Sequence, residues 1–269
     1  MPDNLVKSKE LKVALEAALE AGKILERHLE TDIIKSMKHD KSISVLADGE
    51  SEEMIKKIIF EAFPEHSILG EETGMTGQES DYVWHVDPLD GTRNFAHGVP
   101  FFCVAIALEY KGELRVGVVY NPATRSLFYA EKNKGTYLND KRIFVSKDGE
   151  VHSMITVSRG KKPSDEKLFR ELMHDLPIHN SVSIRDFGCA ALDLAYVAQG
   201  ALEADVQLGL NSYDFAAGAL LVLEAGGKVT ALDGSPWKFP DNHFIASNGI
   251  FHDVLVAEVK KQKEKLNHE

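Results

Sequence analysis

The 269-residue chain contains little cysteine, no long apolar run and fewer basic than acidic residues. Its two cysteines, Cys103 and Cys189, stand in apolar surroundings and match neither a disulfide framework nor the ligand spacing of a zinc site. No apolar stretch has the length of a membrane-spanning helix, and the first ten residues mix charge with apolar side chains, unlike a signal peptide. We therefore expect a protein of the reducing cytoplasm with no membrane partner.

The charge balance is acidic, with 42 Asp and Glu against 31 Lys and Arg and a formal net charge of −11. A protein that binds nucleic acid broadly needs a basic surface, so we expect no nucleic-acid partner. An acidic balance most often serves solubility. It serves cation binding only where carboxylates converge on one site, and composition alone leaves both interpretations open.

The first half of the chain combines helical and β-type patterns. Apolar residues at helical spacing predict helices at Leu5–Leu29 and Glu50–Phe63, with a short strand at Ile43–Leu46 between them. The later segments are β-type and separated by turn residues, which predicts an antiparallel meander. Its strands are expected at residues 67–69, 82–86, 102–110, 114–120 and 127–130.

After about residue 153, strands alternate with helices. Strands are expected at residues 155–157, 181–187, 204–208 and 228–230, and helices at residues 190–199, 215–224 and 253–263. This mixture predicts an α+β protein built from layers of sheets and helices. We expect one catalytic domain, 1–269, with an N-terminal lobe at about 1–150 and a C-terminal lobe at about 151–269.

The segment W-H-V-D-P-L-D-G-T-R-N-F, residues 84–95, contains the strongest functional pattern. The proline after Asp87 favours extended backbone at that aspartate, which places it where an apolar strand ends. Asp90, Gly91 and Thr92 then stand at a turn that can start a helix. Two carboxylates three residues apart can share a hard cation, and N–H groups at a helix start can face an anion. The pattern D-x-x-D is also common in ordinary turns.

Three further motifs each contain a carboxylate that could bind the same cations. Glu71 leads the string G-E-E-T, residues 70–73; Asp48 precedes the second predicted helix; and Asp214 opens the helix S-Y-D-F-A-A-G. Each has an ordinary structural alternative, which is a solvated loop for Glu71 and a helix cap for each aspartate. The four motifs together, in this order, resemble the inositol monophosphatase family, within the wider group of lithium-sensitive, magnesium-dependent phosphatases.

The resemblance implies a layered α-β-α-β-α sandwich, like that of inositol monophosphatase and fructose-1,6-bisphosphatase, and two to three Mg²⁺ ions. It implies that Asp87 bridges two ions, that Glu71 and the carbonyl of Leu89 complete the first site, and that Asp90 and Asp214 hold the second. A third ion would lie beside Glu71.

The resemblance also implies the catalytic and substrate-binding residues. The catalytic set is Glu71, Thr92 and Asp48, with the Thr92 hydroxyl bonded toward Asp48 or Glu71 and orienting the attacking water. The substrate-binding set is Asp90, Gly91, Thr92 and Gln207. By analogy with the family, we expect a homodimer that acts on a small phosphorylated metabolite.

Two positions bear on the substrate. Gln207 stands where animal-type members carry a glutamate that accepts hydrogen bonds from substrate hydroxyls, and a neutral amide would tolerate a second phosphate. Arg93 could contact an anionic substrate or face solvent. The leading expectation is inositol 1-phosphate hydrolysis. The alternatives are fructose 1,6-bisphosphate, histidinol phosphate, a 3′-phosphoadenosine nucleotide, or a regulatory binding protein on the same scaffold.

Overall fold

A computed structural model describes residues 7–30, 42–149, 153–160, 162–175 and 182–267. The first half contains α1 (Lys9–Glu30), α2 (Ser42–Ala62), β1 (Ser67–Gly70), β2 (Gly74–Thr76), β3 (Tyr82–Asp90), α3 (Thr92–Ala96), β4 (Cys103–Tyr110), β5 (Glu113–Asn121), β6 (Ser126–Glu131), β7 (Thr136–Leu138) and β8 (Lys141–Ile143). The second half contains β9 (Met154–Ser158), α4 (Pro163–Asp175), β10 (Ser183–Arg185), α5 (Ala190–Ala198), β11 (Ala204–Leu208), α6 (Ser212–Glu224), β12 (Lys228–Ala231), β13 (His243–Ser247) and α7 (His252–Asn267).

The strands form two sheets. The first has eight strands in the order β2-β1-β3-β4-β5-β6-β7-β8, and the second has five in the order β10-β9-β11-β13-β12. In the first sheet β1 runs parallel to β3, and the remaining neighbours are antiparallel, as the predicted meander requires. In the second sheet β9 lies parallel to both β10 and β11, and β13 runs antiparallel to β11 and β12.

Alternation along the strands explains how the layers stack. In β4, Val104 and Ile106 pack with α1 and α2 on one face, whereas Ala105 and Ala107 pack with α5 and α6 on the other. The other face of the α5–α6 layer covers the second sheet, and α4 and α7 cover that sheet from outside. The order of layers is therefore α-β-α-β-α, and the fold class expected from the sequence is confirmed.

Several local expectations are wrong. The strand expected at 43–46 is part of α2, which runs Ser42–Ala62, and Asp48 lies within this helix rather than at its N-cap. The sequence analysis also missed α4, β2, β7, β8 and β13. Of the strand expected at 181–187, residues 183–185 form β10, and residues 182, 186 and 187 lie outside it. Residue 181 and the lobe boundary at 150–151 lie outside the described residues. Among the helices that the structure describes, none has both the length and the apolar character of a membrane span.

Candidate active site

Two parallel strands bring the first pair of predicted ligands to one edge of the large sheet. Gly70 of β1 lies opposite Val86 of β3, and the N–H of Glu71 donates to the carbonyl of Val86 at 3.1 Å. Because the carboxyl ends of parallel strands meet at the same edge, Glu71 and Asp87 leave the sheet side by side.

The D-P-L-D-G turn is shaped by an irregularity at the end of β3. The ladder with β4 shifts register between Asp87 and Asp90, and the N–H of Leu89 donates to Asp87 Oδ1 at 3.0 Å. Gly91 has a left-handed backbone with φ of 84°. A Cβ at this position would lie 2.9 Å from the carbonyl oxygen of Phe101, so the turn requires glycine.

Hydrogen bonds at the N-termini of two helices orient the other two predicted ligands. Asp90 Oδ2 accepts a hydrogen bond from the N–H of Ala191, the second residue of α5, at 2.7 Å. Asp214 is the third residue of α6, and its Oδ2 accepts from the N–H of Asn211 at 2.7 Å in a capping box. Asp214 thus caps its helix, and it also lines the cavity described below.

A buried histidine ties the elements of the site together, although the sequence analysis did not single it out. His85 Nδ1 lies 2.8 Å from Ser212 Oγ at the start of α6, and Nε2 lies 3.0 Å from Glu109 Oε2 on β4. This side chain therefore joins β3, which carries Asp87, to the helix that carries Asp214.

Glu52 is a second residue that the sequence analysis missed. Its fully buried carboxylate accepts hydrogen bonds from the N–H of Glu72 at 2.9 Å, from the N–H of Thr73 at 3.1 Å and from the Thr73 hydroxyl. The available signal was its position four residues after Asp48, one turn along the same helix face. Glu52 holds the loop that presents Glu71.

Burial and mutual repulsion govern the charges at the centre of the site. Burial raises the pKa of Asp87 well above its ordinary value, and the nearby charges of Asp90, Glu71 and Asp214 raise it further. Burial raises the pKa of Asp90 to about 6, although the N–H of Ala191 opposes the shift. The charges of Asp90, Glu71 and Asp214 therefore act on the buried Asp87.

Asp48 extends this acidic environment from α2. Burial, followed by the charges of Glu72, Glu71 and Glu52, raises the pKa of Asp48 to about 8. Its Oδ1 is buried and has no hydrogen-bond partner. A cation near this oxygen would relieve both the repulsion and the unsatisfied acceptor.

The donor set fits a hard divalent cation such as Mg²⁺. Carboxylate oxygens are the ligands that such cations prefer, and the acidic surroundings would be neutralised by them. Among the described residues, the group of three potential ligands whose atoms lie within 4.8 Å of one another is Asp90 with Cys103 and Cys189. Glu71, Asp90 and Asp214 lie near enough to Asp87 for their charges to act on it, but these four carboxylates do not form a group within that distance.

A cavity of about 270 Å³ lies beside the buried Asp87. Glu71, Asp90 and Asp214 line one side of it. The exposed side chains of Arg93 and Arg159 also line it. Arg93 thus both lines the cavity and is exposed to solvent, so its position is compatible with either of the two possibilities. Three further polar residues of the wall were not foreseen from the sequence: Ser158, Asp186 and Asp193.

Thr92 makes a different contact from the expected one. Its hydroxyl donates to the carbonyl of Leu89 at 3.1 Å, not to Asp48 or Glu71. The left-handed turn at Gly91 returns the chain toward Leu89, so the nearest acceptor is three residues back. The Leu89 carbonyl is consequently oriented by Thr92.

Gln207 does not face the cavity, contrary to its assignment to the substrate-binding set. It is fully buried in β11, and its amide nitrogen donates to Asp205, which also accepts from the Thr156 hydroxyl at 2.7 Å. Strand β11 lies between β9 and β13, and alternation sends Asp205 and Gln207 to the same covered face. The cavity wall nearest this cluster is Asp193, whose pKa is raised by burial and by the charge of Asp205.

Comparison with known proteins agrees with this geometry. Residues 7–264 match the model of the inositol monophosphatase family. The chain is 38% identical over 260 residues to the "Nus factor SuhB" of Pseudomonas aeruginosa, which covers 93% of this chain and 95% of that protein. It is 36% identical over 262 residues to the "Fructose-1,6-bisphosphatase/inositol-1-monophosphatase" of Aquifex aeolicus, which covers 95% and 97%.

A solved structure shows the same fold. The inositol monophosphatase of Anabaena superimposes with a TM-score of 0.81 at 36% identity, covering 93% of this chain and 95% of that one. With this fold, the four motifs and the family match over nearly the whole length, the chain belongs to the inositol monophosphatase family, whose members are phosphoric monoester hydrolases.

Proposed function

We propose that this phosphatase hydrolyses inositol 1-phosphate and depends on Mg²⁺ held by Glu71, Asp87, Asp90 and Asp214. The observation that supports this most is the burial of Asp87 among three other carboxylates at the edge of a cavity. Mg²⁺ bound there would neutralise these charges, attract the phosphate and supply Lewis acidity.

The chain's own groups then position the reactants. We place the phosphate at the start of α3, because first-turn N–H groups have no partner inside their helix. Since the N–H of Gly91 also donates to the Asp90 carboxylate, that contact falls mainly to Thr92. Glu71 would orient the attacking water, and Asp48 supports it from α2 across the acidic pocket.

The leaving alcohol would occupy the side of the cavity that carries both acidic and basic side chains. Asp186 and Asp193 can accept hydrogen bonds from polyol hydroxyls, whereas Arg93 and Arg159 can donate to them or pair with a second phosphate. The two arginines favour a second candidate substrate, fructose 1,6-bisphosphate, and this reasoning no longer needs Gln207. The relative from Aquifex aeolicus, whose name joins both activities, supports the same choice.

A comparison of two substrates tests this assignment. Inositol 1-phosphate and fructose 1,6-bisphosphate would be assayed under identical Mg²⁺ with the wild type, Arg159→Gln and Arg93→Gln. We expect the catalytic efficiency on the bisphosphate to fall about tenfold more than that on inositol phosphate, because one charge-assisted bond is lost. Equal losses would remove the arginines from the second-phosphate site. If neither compound is hydrolysed, the proposed substrates are wrong.

Other finer assignments rest on the family and stay proposals. We expect a cytoplasmic homodimer that is inhibited by lithium and is organised as one domain with two lobes. A purely regulatory role is the alternative suggested by the relatives named Nus factor SuhB. The retained cluster of Asp48, Glu71, Asp87, Asp90 and Asp214 favours catalysis, because clustered buried charges cost stability in a protein that only binds.

A further inference from the structure

Two thiols meet directly behind the Asp90 ligand. Cys103 is the first residue of β4 and pairs with Asp90 at the end of β3, while Cys189 immediately precedes α5. Their Sγ atoms lie 3.7 Å apart, and both residues are buried. The Cys189 Sγ is also 3.5 Å from the backbone carbonyl oxygen of Asp90. In sequence these cysteines match neither a disulfide framework nor the ligand spacing of a zinc site, but the structure brings them together.

The separation of the sulfurs suits one metal ion between them. Two thiolates at about 2.3 Å from a tetrahedral Zn²⁺ would lie about 3.75 Å apart, which the observed 3.7 Å matches without movement. A disulfide, by contrast, would require the sulfurs to approach by roughly 1.7 Å. The 3.7 Å separation is a contact between two thiols that also accommodates a shared cation without movement of the sulfurs.

Asp90 supplies a third ligand. One of its carboxylate oxygens lies within 4.8 Å of both sulfurs, whereas tetrahedral geometry at these bond lengths requires about 3.6 Å. A displacement of the side chain by about 1 Å closes the difference. Asp90 and Cys189 both line the active-site cavity, so an ion can enter from solvent and a water molecule can take the fourth position.

We propose that Cys103, Cys189 and Asp90 form a binding site for a thiophilic divalent cation, such as Zn²⁺ or Cd²⁺. On binding, both S–H groups release their protons to solvent and two metal–sulfur bonds form, with no change of oxidation state. Soft sulfur ligands discriminate against Mg²⁺, so this site is chemically distinct from the carboxylates around it.

The site inhibits the enzyme because it shares Asp90. An Asp90 carboxylate turned toward the thiols leaves its hydrogen bond to Ala191 and is withdrawn from the proposed magnesium ligands. Excess Mg²⁺ competes for Asp90 but not for the two sulfurs, so it weakens the inhibition without abolishing it. A chelator followed by Mg²⁺ abolishes it.

Cadmium titration tests the site by a signal that does not depend on activity. Reduced, metal-free protein would be titrated with Cd²⁺ at saturating Mg²⁺, and the sulfur-to-cadmium charge-transfer absorption recorded. We expect one thiolate-bound ion per chain in the wild type. Cys103→Ala and Cys189→Ala should each weaken that binding at least tenfold. Asp186→Asn, a cavity carboxylate outside the proposed ligand set, should leave it unchanged.

Two results would overturn the proposal. One is a wild-type titration without a charge-transfer signal, and the other is equal Cd²⁺ affinity in Cys103→Ala, which would assign the ion to carboxylates alone. If an alanine variant does not fold, cadmium NMR of the wild type decides, since two sulfur ligands and none give widely different chemical shifts. Because the signal needs no substrate, failure here leaves the phosphatase assignment standing.

Discussion

Replacing Glu52 should damage the active site from a distance. This buried carboxylate does not line the cavity, yet three donors from Glu72 and Thr73 converge on it. These bonds hold the G-E-E-T loop whose Glu71 we place among the magnesium ligands. In Glu52→Ala the loop loses its anchor, so Glu71 no longer occupies one position at the edge of the sheet.

The magnitude follows from the number of donors left without a partner. Two backbone N–H groups and one hydroxyl lose their acceptor, and an unsatisfied donor costs about 1–3 kcal/mol when it is fully buried, whereas Glu72 and Thr73 are exposed residues. Partial access of water to this loop reduces the sum, so we expect a loss of about 2–4 kcal/mol in the free energy of unfolding. Glu52→Gln keeps one acceptor oxygen and should lose about half as much.

The assay combines stability with metal dependence. Denaturant unfolding gives the change in stability, and phosphate release measured over a range of Mg²⁺ gives the concentration for half-maximal activity. We expect that concentration to rise at least tenfold in Glu52→Ala and less in Glu52→Gln. The control is Glu53→Ala at the neighbouring position. Among the described residues its exposed carboxylate pairs only with Lys56 on the same helix, so this variant should change neither quantity.

The reasoning fails if Glu52→Ala unfolds at lower denaturant but keeps the wild-type dependence on Mg²⁺. Glu52 would then stabilise the fold without positioning Glu71. A shift in both quantities with Glu53→Ala would show that any change on this helix disturbs the site.

Three further predictions concern buried groups. Asp87→Asn should bind no Mg²⁺ in calorimetry and raise the melting temperature of the metal-free protein, since burial and neighbouring carboxylates oppose its charge; an unchanged metal affinity would contradict this. Gly70→Ala should raise the Mg²⁺ concentration for half-maximal activity as Glu52→Ala does, because a Cβ at Gly70 would lie 2.5–2.7 Å from the Glu52 carboxylate. A wild-type dependence on Mg²⁺ would show that the loop accommodates the added methyl group without displacing Glu71. Burial raises the pKa of Asp205 from 3.8 to about 7, so its folded form holds a proton that the unfolded form releases. Wild-type stability should therefore fall as pH rises from about 4 to about 7, by an amount on the order of a few kcal/mol, and Asp205→Asn should flatten that slope in denaturant unfolding. If the free energy of unfolding of Asp205→Asn depended on pH as steeply as that of the wild type, Asp205 would not be the source of the slope.

Local signals predicted the fold where they were strong. The strand predicted at 204–208 matches β11, and the helix predicted at 190–199 differs from α5 by one residue. In β11 apolar and polar residues alternate, α5 is almost entirely apolar, and a glycine follows each segment within two residues, so little ambiguity remains. The pattern failed at Ser42–Ala62, where mixed polar and apolar residues resemble a short strand beside a helix. Only packing against α1 and the sheet decides that segment.

The candidate site likewise contains residues that local motifs predicted and residues that they did not. Asp87 and Asp90 are adjacent in sequence to the turn that orients them, so their motif was informative. Glu52 and His85 act through partners distant in the chain. The spacing of Glu52 from Asp48 places the two on one helix face but does not show which groups Glu52 contacts. Gln207 was misplaced because spacing from Asp214 cannot reveal which face of a central strand is covered. Contacts made only in the assembled fold decide such positions.

The most direct test of the account is phosphate release from inositol 1-phosphate by chelator-treated protein while Mg²⁺ is added back. The clustered carboxylates around Asp87 predict no turnover without the metal and full recovery with it, and no recovery in Asp87→Asn at any Mg²⁺ concentration. Undiminished turnover after exhaustive chelation would contradict the account.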